Sequence, residues 1–153
     1  MLLCMNLILA HVGAPTSPQK AYENLIQMYM ERSAPFAHCR TEAFRNEQAF
    51  LDWLERHNGR TAAIAVLLDS RGKQMSSENF AAWLGSRRDQ GAQQMVFAIG
   101  PADGWSETAR KRAQLLLSFG PMTLAHALAR LVMAEQIYRA FAILAGHPYH
   151  SGH

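Results

Sequence analysis

Three groups of residues have the types and spacing to do chemistry. The first is Ile99-Gly100-Pro101-Ala102-Asp103-Gly104, directly after an apolar run. Glycines let a loop bring its backbone N–H groups close to a ligand, and loops at the carboxyl ends of parallel strands are where open α/β sheets bind small molecules. The pattern is neither a GxGxxG dinucleotide fingerprint nor a Walker phosphate loop, and read alone it is also ordinary turn chemistry. The second group is Asp69-Ser70-Arg71-Gly72-Lys73, again after an apolar run, whose simplest reading is a solvated turn. The third is a C-terminal cluster in which His126, Arg130, Tyr138, Arg139, His147, Tyr149 and His150 fall within 25 residues. His126 and Arg130 are i,i+4 neighbours, side by side on one helix face. They suit a phosphate or a base edge, or else form a solvated face.

Other chemistries are absent. There is no Ser-His-Asp or Cys-His arrangement at a recognised spacing and no paired-carboxylate signal. His147-Pro148-Tyr149-His150 lacks cysteine partners and helical HxxxH spacing, so no metal site is expected. Cys4 and Cys39 belong to no motif and read as buried thiols of a reducing compartment. Met122, Met133 and Phe141 read as core.

These groups need elements to position them. The chain has 153 residues, 49% hydrophobic and 18% charged, which fits one domain over 1–153 with its own core and excludes wholesale disorder. No apolar run reaches the ~18 residues of a membrane span, so a cytoplasmic protein with no membrane partner is expected. Residues 1–10 are apolar but have no basic flank and are interrupted by Asn6, so they read as a first strand rather than a signal peptide. The net charge is +3, and the stretch 100–153 holds five basic and three acidic side chains, which permits an anionic partner.

Residues 2–10 suit a buried strand, closed by Gly13 and Pro15. Thr16 or Ser17 can cap a helix bearing Tyr22, Leu25, Ile26 and Tyr29, which Pro35 stops. A weak strand at 36–41 and a helix over 46–57 with Phe50, Trp53, Leu54 and His57 follow, and Asn58-Gly59 is the stop. TAAIAVLL at 61–68 is a strong buried strand ending in a turn at 69–72. Ser77 caps a helix with Phe80, Trp83 and Leu84, ended by Gly85. A strand at 94–99, a basic helix at about 106–113, a short strand at 115–117 and a loop at 118–123 come next. The final helix puts Leu128, Leu131, Val132, Tyr138, Ala142 and Ala145 on one side, and Gly146 with Pro148 ends it. This alternation argues for an α/β layer fold with a mostly parallel sheet flanked by helices.

The C-terminal half also resembles a known family. Ser118-Phe119-Gly120-Pro121-Met122-Thr123-Leu124-Ala125-His126-Ala127-Leu128-Ala129-Arg130 is similar to the LSxMTLPHxLAR segment of the large-subunit ribosomal RNA methyltransferase H family. Glu135-Gln136-Ile137-Tyr138-Arg139-Ala140 resembles its EQLYRA, His147-Pro148-Tyr149-His150 its HPYH, Leu67-Leu68-Asp69 with Gly72-Lys73 its LDxxGK, and 99–104 its IGGxxG. The motifs agree in order and spacing over about residues 61–150. Pro101 replaces a family Gly and Ala125 a family Pro, while Ser151-Gly152-His153 ends the chain where the family carries Lys or Arg.

The resemblance implies a SPOUT-type α/β knot with a C-terminal trefoil knot, a homodimer, and S-adenosylmethionine as methyl donor. It implies methylation of N3 of a pseudouridine in 23S ribosomal RNA on the ribosome. Carried over, Leu68, Gly100, Phe119, Gly120, Pro121, Met122, Thr123 and Leu124 would line the cofactor pocket. His126, Arg130 and His150 would be catalytic, with His126 or His150 as base, and Tyr138, Arg139, His147 and Tyr149 would face the RNA.

Overall fold

The computed structural model describes residues 5–13, 20–57 and 62–151. Within them the alternating pattern becomes β1 (Asn6–Val12), α1 (Lys20–Ser33), β2 (His38–Phe44), α2 (Glu47–Arg56), β3 (Ile64–Gln74), α3 (Ser77–Asp89), β4 (Gln94–Ile99), α4 (Glu107–Arg112), β5 (Leu115–Ser118) and α5 (His126–Leu144). The strands form one sheet in the order β2-β1-β4-β3-β5, and every neighbouring pair is parallel. The sequence readings at Leu2, Cys4, Thr16, Ser17, Asn58, Gly59, Thr61 and His153 lie outside the described residues.

Parallel strands covered on both faces are apolar without alternation, and β1 shows why. Leu7 and Leu9 enter one core with Ile26 and Met30 of α1, Phe80 and Leu84 of α3, and Met133, Ile137 and Phe141 of α5. Ile8, Ala10 and Val12 enter the other core with Phe50, Trp53 and Leu54 of α2 and Ala109 of α4. The layers are therefore α1, α3 and α5 on one face and α2 and α4 on the other.

Several elements differ from the sequence expectation. The weak strand at 36–41 is the edge strand β2, running on to Phe44. Residues 69–72 are solvent-exposed at Ser70 and Arg71 but do not end the strand. They are an excursion inside β3, because Leu68 and Lys73 both pair with Leu117 of β5. At Gly72 a Cβ would stand 2.6 Å from the Leu116 backbone, so the excursion closes only with glycine there. Ser76 rather than Ser77 caps α3, accepting from Asn79 N–H at 3.0 Å. Gly85 does not end that helix: a Cβ there would lie 2.7 Å from Leu144, so it is where α3 and α5 approach closely. In α5 the core takes Ala127, Met133, Ala134, Ile137, Ala140, Phe141 and, as expected, Ala142, whereas Leu128, Leu131, Val132 and Tyr138 are half-buried and Ala145 is exposed. Met122, expected in the core, is 82% exposed.

Candidate cofactor cleft and a neighbouring cavity

Adjacent strands β1 and β4 hand the chain on in opposite directions. β1 leads through α1 on one face to β2, and β4 leads through α4 on the other face to β5. Such a reversal leaves a crevice at the carboxyl ends of the strands, where open α/β sheets bind ligands. Two cavities open there. One, of about 640 Å³, is lined by Leu68, Asp69, Ser70 and Arg71 within β3, by 99–105 at and beyond the end of β4, and by Leu117 and 119–124 at and beyond the end of β5, with His126 and Ala129. The other, of about 830 Å³, is lined by Val12, Gly13, Arg45, Asn46, Glu47, 101–106 and 125–127. Loop 101–105 and His126 belong to both and form the wall between them.

Trp105 holds that wall. It is buried, its Nε1 donates to the Leu68 carbonyl at 3.1 Å, and its ring lies 5.3 Å from that of Phe50. Gly100 is required beneath it, since a Cβ would meet the indole at 2.8 Å. Ser106 then caps α4 by accepting from Ala109 N–H, and its own N–H donates to Glu47 of α2 at 2.8 Å. At the cleft mouth Arg71 donates twice from its side chain and once from its backbone to the Asp69 carboxylate, and Arg110 Nε lies 3.4 Å away. Burial alone would raise the Asp69 pKa. The hydrogen bonds and charge of Arg71, with the charge of Arg110, hold it below its ordinary value.

His126 opens α5, and its Nε2 is buried without a hydrogen bond. Burial lowers its pKa and the Arg130 charge lowers it further, while the Val12 and Gly100 carbonyls pull in the other direction. The imidazole is therefore neutral near pH 7 and can accept a proton, with two carbonyls favouring the protonated form. His11 of β1 stands edge-on to it, ring centres 5.7 Å apart. Burial, Arg130 and His126 push the His11 pKa down to about 4. Arg130 itself is buried and paired at 2.5 Å with Glu23 of α1. It lines neither cavity; it joins α5 to α1 and sets the charge near both histidines.

The rest of the C-terminal cluster assembles elsewhere. Arg139 donates to Glu135 at 2.7 and 3.0 Å, and the Tyr149 hydroxyl donates to the same carboxylate at 3.0 Å. Arg139 also stacks over the Tyr149 ring, which meets Tyr138 at 4.8 Å. His150 bonds Arg139 through Nδ1 at 2.9 Å and Glu78 of α3 through Nε2 at 2.7 Å. His147 Nδ1 accepts from Tyr149 N–H. Neither cavity is lined by any of these residues.

The structure thus gathers Leu68, Gly100, 119–124 and His126 around one cleft and leaves Arg130 and His150 outside it within a single chain. Sequence reasoning missed His11, Trp105 and Glu23. His11 lies in an apolar strand where nothing but the sheet register places it beside His126, whereas the closeness of Trp105 to the Gly-rich loop was a usable signal.

A parallel α/β sheet with a ligand cleft at its carboxyl edge defines a class of small-molecule-binding enzyme folds. Comparison with known proteins narrows it. Residues 5–150 match the family model described as predicted SPOUT methyltransferase. The chain is 47% identical over 135 residues to ribosomal RNA large subunit methyltransferase H of Koribacter versatilis (strain Ellin345), covering 88% of this chain and 92% of that protein. It is 59% identical over 88 residues to the protein of the same name from Rhodospirillum centenum, 58% of each chain. Among solved structures it is similar to the SpoU methyltransferase AviRb of Streptomyces viridochromogenes, crystallised with AdoMet (TM-score 0.50, 13% identity). That match covers 95% of this chain, which spans 62% of AviRb. The chain belongs to the SPOUT methyltransferase family.

Proposed function

We propose that this protein methylates N3 of a pseudouridine in 23S ribosomal RNA, using S-adenosylmethionine, and does so on the ribosome in the cytoplasm as a homodimer whose C-terminal segment forms a trefoil knot. The observation that carries this reading is the cleft at the ends of β3, β4 and β5, walled by loop backbone and apolar side chains and closed by a neutral imidazole. Its volume of about 640 Å³ falls in the range of small-molecule sites. Leu68, Gly100, Phe119, Gly120, Pro121, Met122, Thr123 and Leu124 offer an adenosine tight apolar walls and carbonyl and N–H groups, so the residues present fit the cofactor.

S-adenosylmethionine supplies a methyl group activated on a positively charged sulfur. Methylation at N3 of a uracil ring removes the N3 proton, and in this reading His126 takes it. Burial lowers the pKa of His126 and His11, and the Arg130 charge lowers both further, which favours the neutral imidazoles. The tail residues Tyr138, Arg139, His147, Tyr149 and His150 form a rigid surface suited to RNA, and in a homodimer that surface can face the partner's cleft.

The test has two parts. Calorimetry measures S-adenosylmethionine binding. Labelled cofactor is then mixed with ribosomes lacking the modification, and the RNA is mapped by mass spectrometry. Binding with label on one pseudouridine of 23S RNA is expected; absent binding, or label on a different nucleotide, overturns the reading.

A further inference from the structure

We propose that Arg71 binds the carboxylate at the methionine end of the cofactor and selects for ligands that carry it. This rests on the S-adenosylmethionine reading above and concerns the end of the cofactor that loop backbone and apolar walls do not account for. Gly100 and 119–124 suit the adenosine. The methionine end is a zwitterion, with a carboxylate and an ammonium group. Burying either charge without a partner is costly, so this end belongs at the open mouth and needs a cation there.

The described residues that line the cleft carry one permanent positive charge, that of Arg71. Asp69 and Asp103 have the wrong sign for a carboxylate, and burial and the Arg130 charge favour the neutral form of His126. The excursion in β3 puts Arg71 in place. Leu68 and Lys73 both pair with Leu117, so residues 69–72 leave the ladder, and Gly72 lets the chain pass close to the Leu116 backbone. Asp69 then fixes the guanidinium. The Asp69 side chain is only 4% exposed, and its carboxylate accepts from the Arg71 backbone N–H at 2.8 Å, which closes a local turn. It also accepts from Nε and Nη2 of Arg71, each at 3.1 Å.

A guanidinium has five N–H donors in a rigid fork, and Asp69 takes two of them. Nη1 makes no hydrogen bond among the described residues, and the Arg71 side chain is 57% exposed. The pairing therefore orders the arginine without using it up, and the remaining donors can meet a second carboxylate. Arg110 lies 3.4 Å from Asp69 and pairs with Glu107 at 2.7 Å. Charges at the mouth are thus near balance, and the attraction comes from directed N–H groups rather than from a broad positive field.

Calorimetry tests this without turnover. S-adenosylmethionine and decarboxylated S-adenosylmethionine share the adenosine, the sulfonium and the amine, and differ by the carboxylate alone. Wild type is expected to bind the first about ten-fold more tightly, the scale of one charge-assisted hydrogen bond at a partly exposed site. Arg71→Gln is expected to lose that preference by weakening S-adenosylmethionine alone, with affinity for the decarboxylated compound unchanged. Arg71→Lys keeps the charge without the fork and falls between. A preference that survives in Arg71→Gln, no preference in wild type, or an equal loss of both ligands in both variants overturns the assignment of Arg71 alone. Wild type that binds neither ligand overturns the cofactor reading and the role of Arg71 with it.

Discussion

Helix α5 carries histidine and arginine chemistry at both ends, and the two ends are built differently. At its start, His126 keeps a buried Nε2 without a hydrogen bond, against two cavities and beside a second histidine held neutral. At its end, Arg139, Tyr149 and His150 are bound into Glu135 and Glu78 through four hydrogen bonds, and a fifth joins Arg139 to His150. A buried polar atom without a partner costs stability and calls for an explanation, whereas a satisfied network needs none beyond rigidity. The difference separates a group available for proton transfer from groups that shape a surface. Residue type alone cannot make that separation, since both ends read as one cationic cluster in the sequence.

Four experiments can break or sharpen this contrast. The largest effect is expected at the wall of the cleft. Gly100→Val puts a branched side chain where a single Cβ already meets Trp105 at 2.8 Å, so the indole leaves Leu68 and closes the cavity. S-adenosylmethionine affinity should fall by about 100-fold or more while circular dichroism stays native, the scale of overpacking a fitted site. Unchanged affinity would mean Trp105 does not set the cleft.

Next comes the β3 excursion. Gly72→Ala places a methyl group 2.6 Å from the Leu116 backbone, which cannot rotate away as a side chain can. Urea unfolding should show a loss of about 1–3 kcal/mol. A smaller effect is expected at the tail: Glu135→Gln weakens the partner of Arg139 and Tyr149. It should reduce stability by about 1–2 kcal/mol and speed proteolysis after the helix, with cofactor affinity untouched. Coupled loss of cofactor binding would mean the two ends of α5 are one device.

A pH dependence from His11 is the last of the four, seen only below the usual histidine range. Its pKa is about 4 in the folded protein against 6.5 for the free group, so below about 6.5 the unfolded chain takes up a proton that the folded one refuses. Stability should fall as pH drops from about 6.5 toward 4, and His11→Leu should flatten that fall in urea midpoints. Identical profiles for the two proteins would remove His11 from the electrostatics around His126.

Much of the fold was legible because its signals are local. The apolar runs at 64–68 and 94–99 show no alternation, as strands buried on both faces do, and they are the strands β3 and β4. The excursion at 69–72 was not legible, because Gly72 is demanded by the backbone of β5, distant in sequence. Gly85 read as a stop for the same reason: its partner Leu144 lies at the far end of the chain. At the site, the ordered motifs brought out the cleft loops and His126. They gave no hint that Glu23 pairs with Arg130 or that Glu78 holds His150, since both pairs join elements only after packing.

The most direct measurement is single-turnover methyl transfer to ribosomes at saturating S-adenosylmethionine, with His126→Gln and His150→Gln side by side. General-base removal is worth about 100- to 10,000-fold. Loss of at least about 100-fold for His126→Gln, against about ten-fold or less for His150→Gln, is the result this account requires. The reverse order would move the proton acceptor to the C-terminal end of α5 and contradict it.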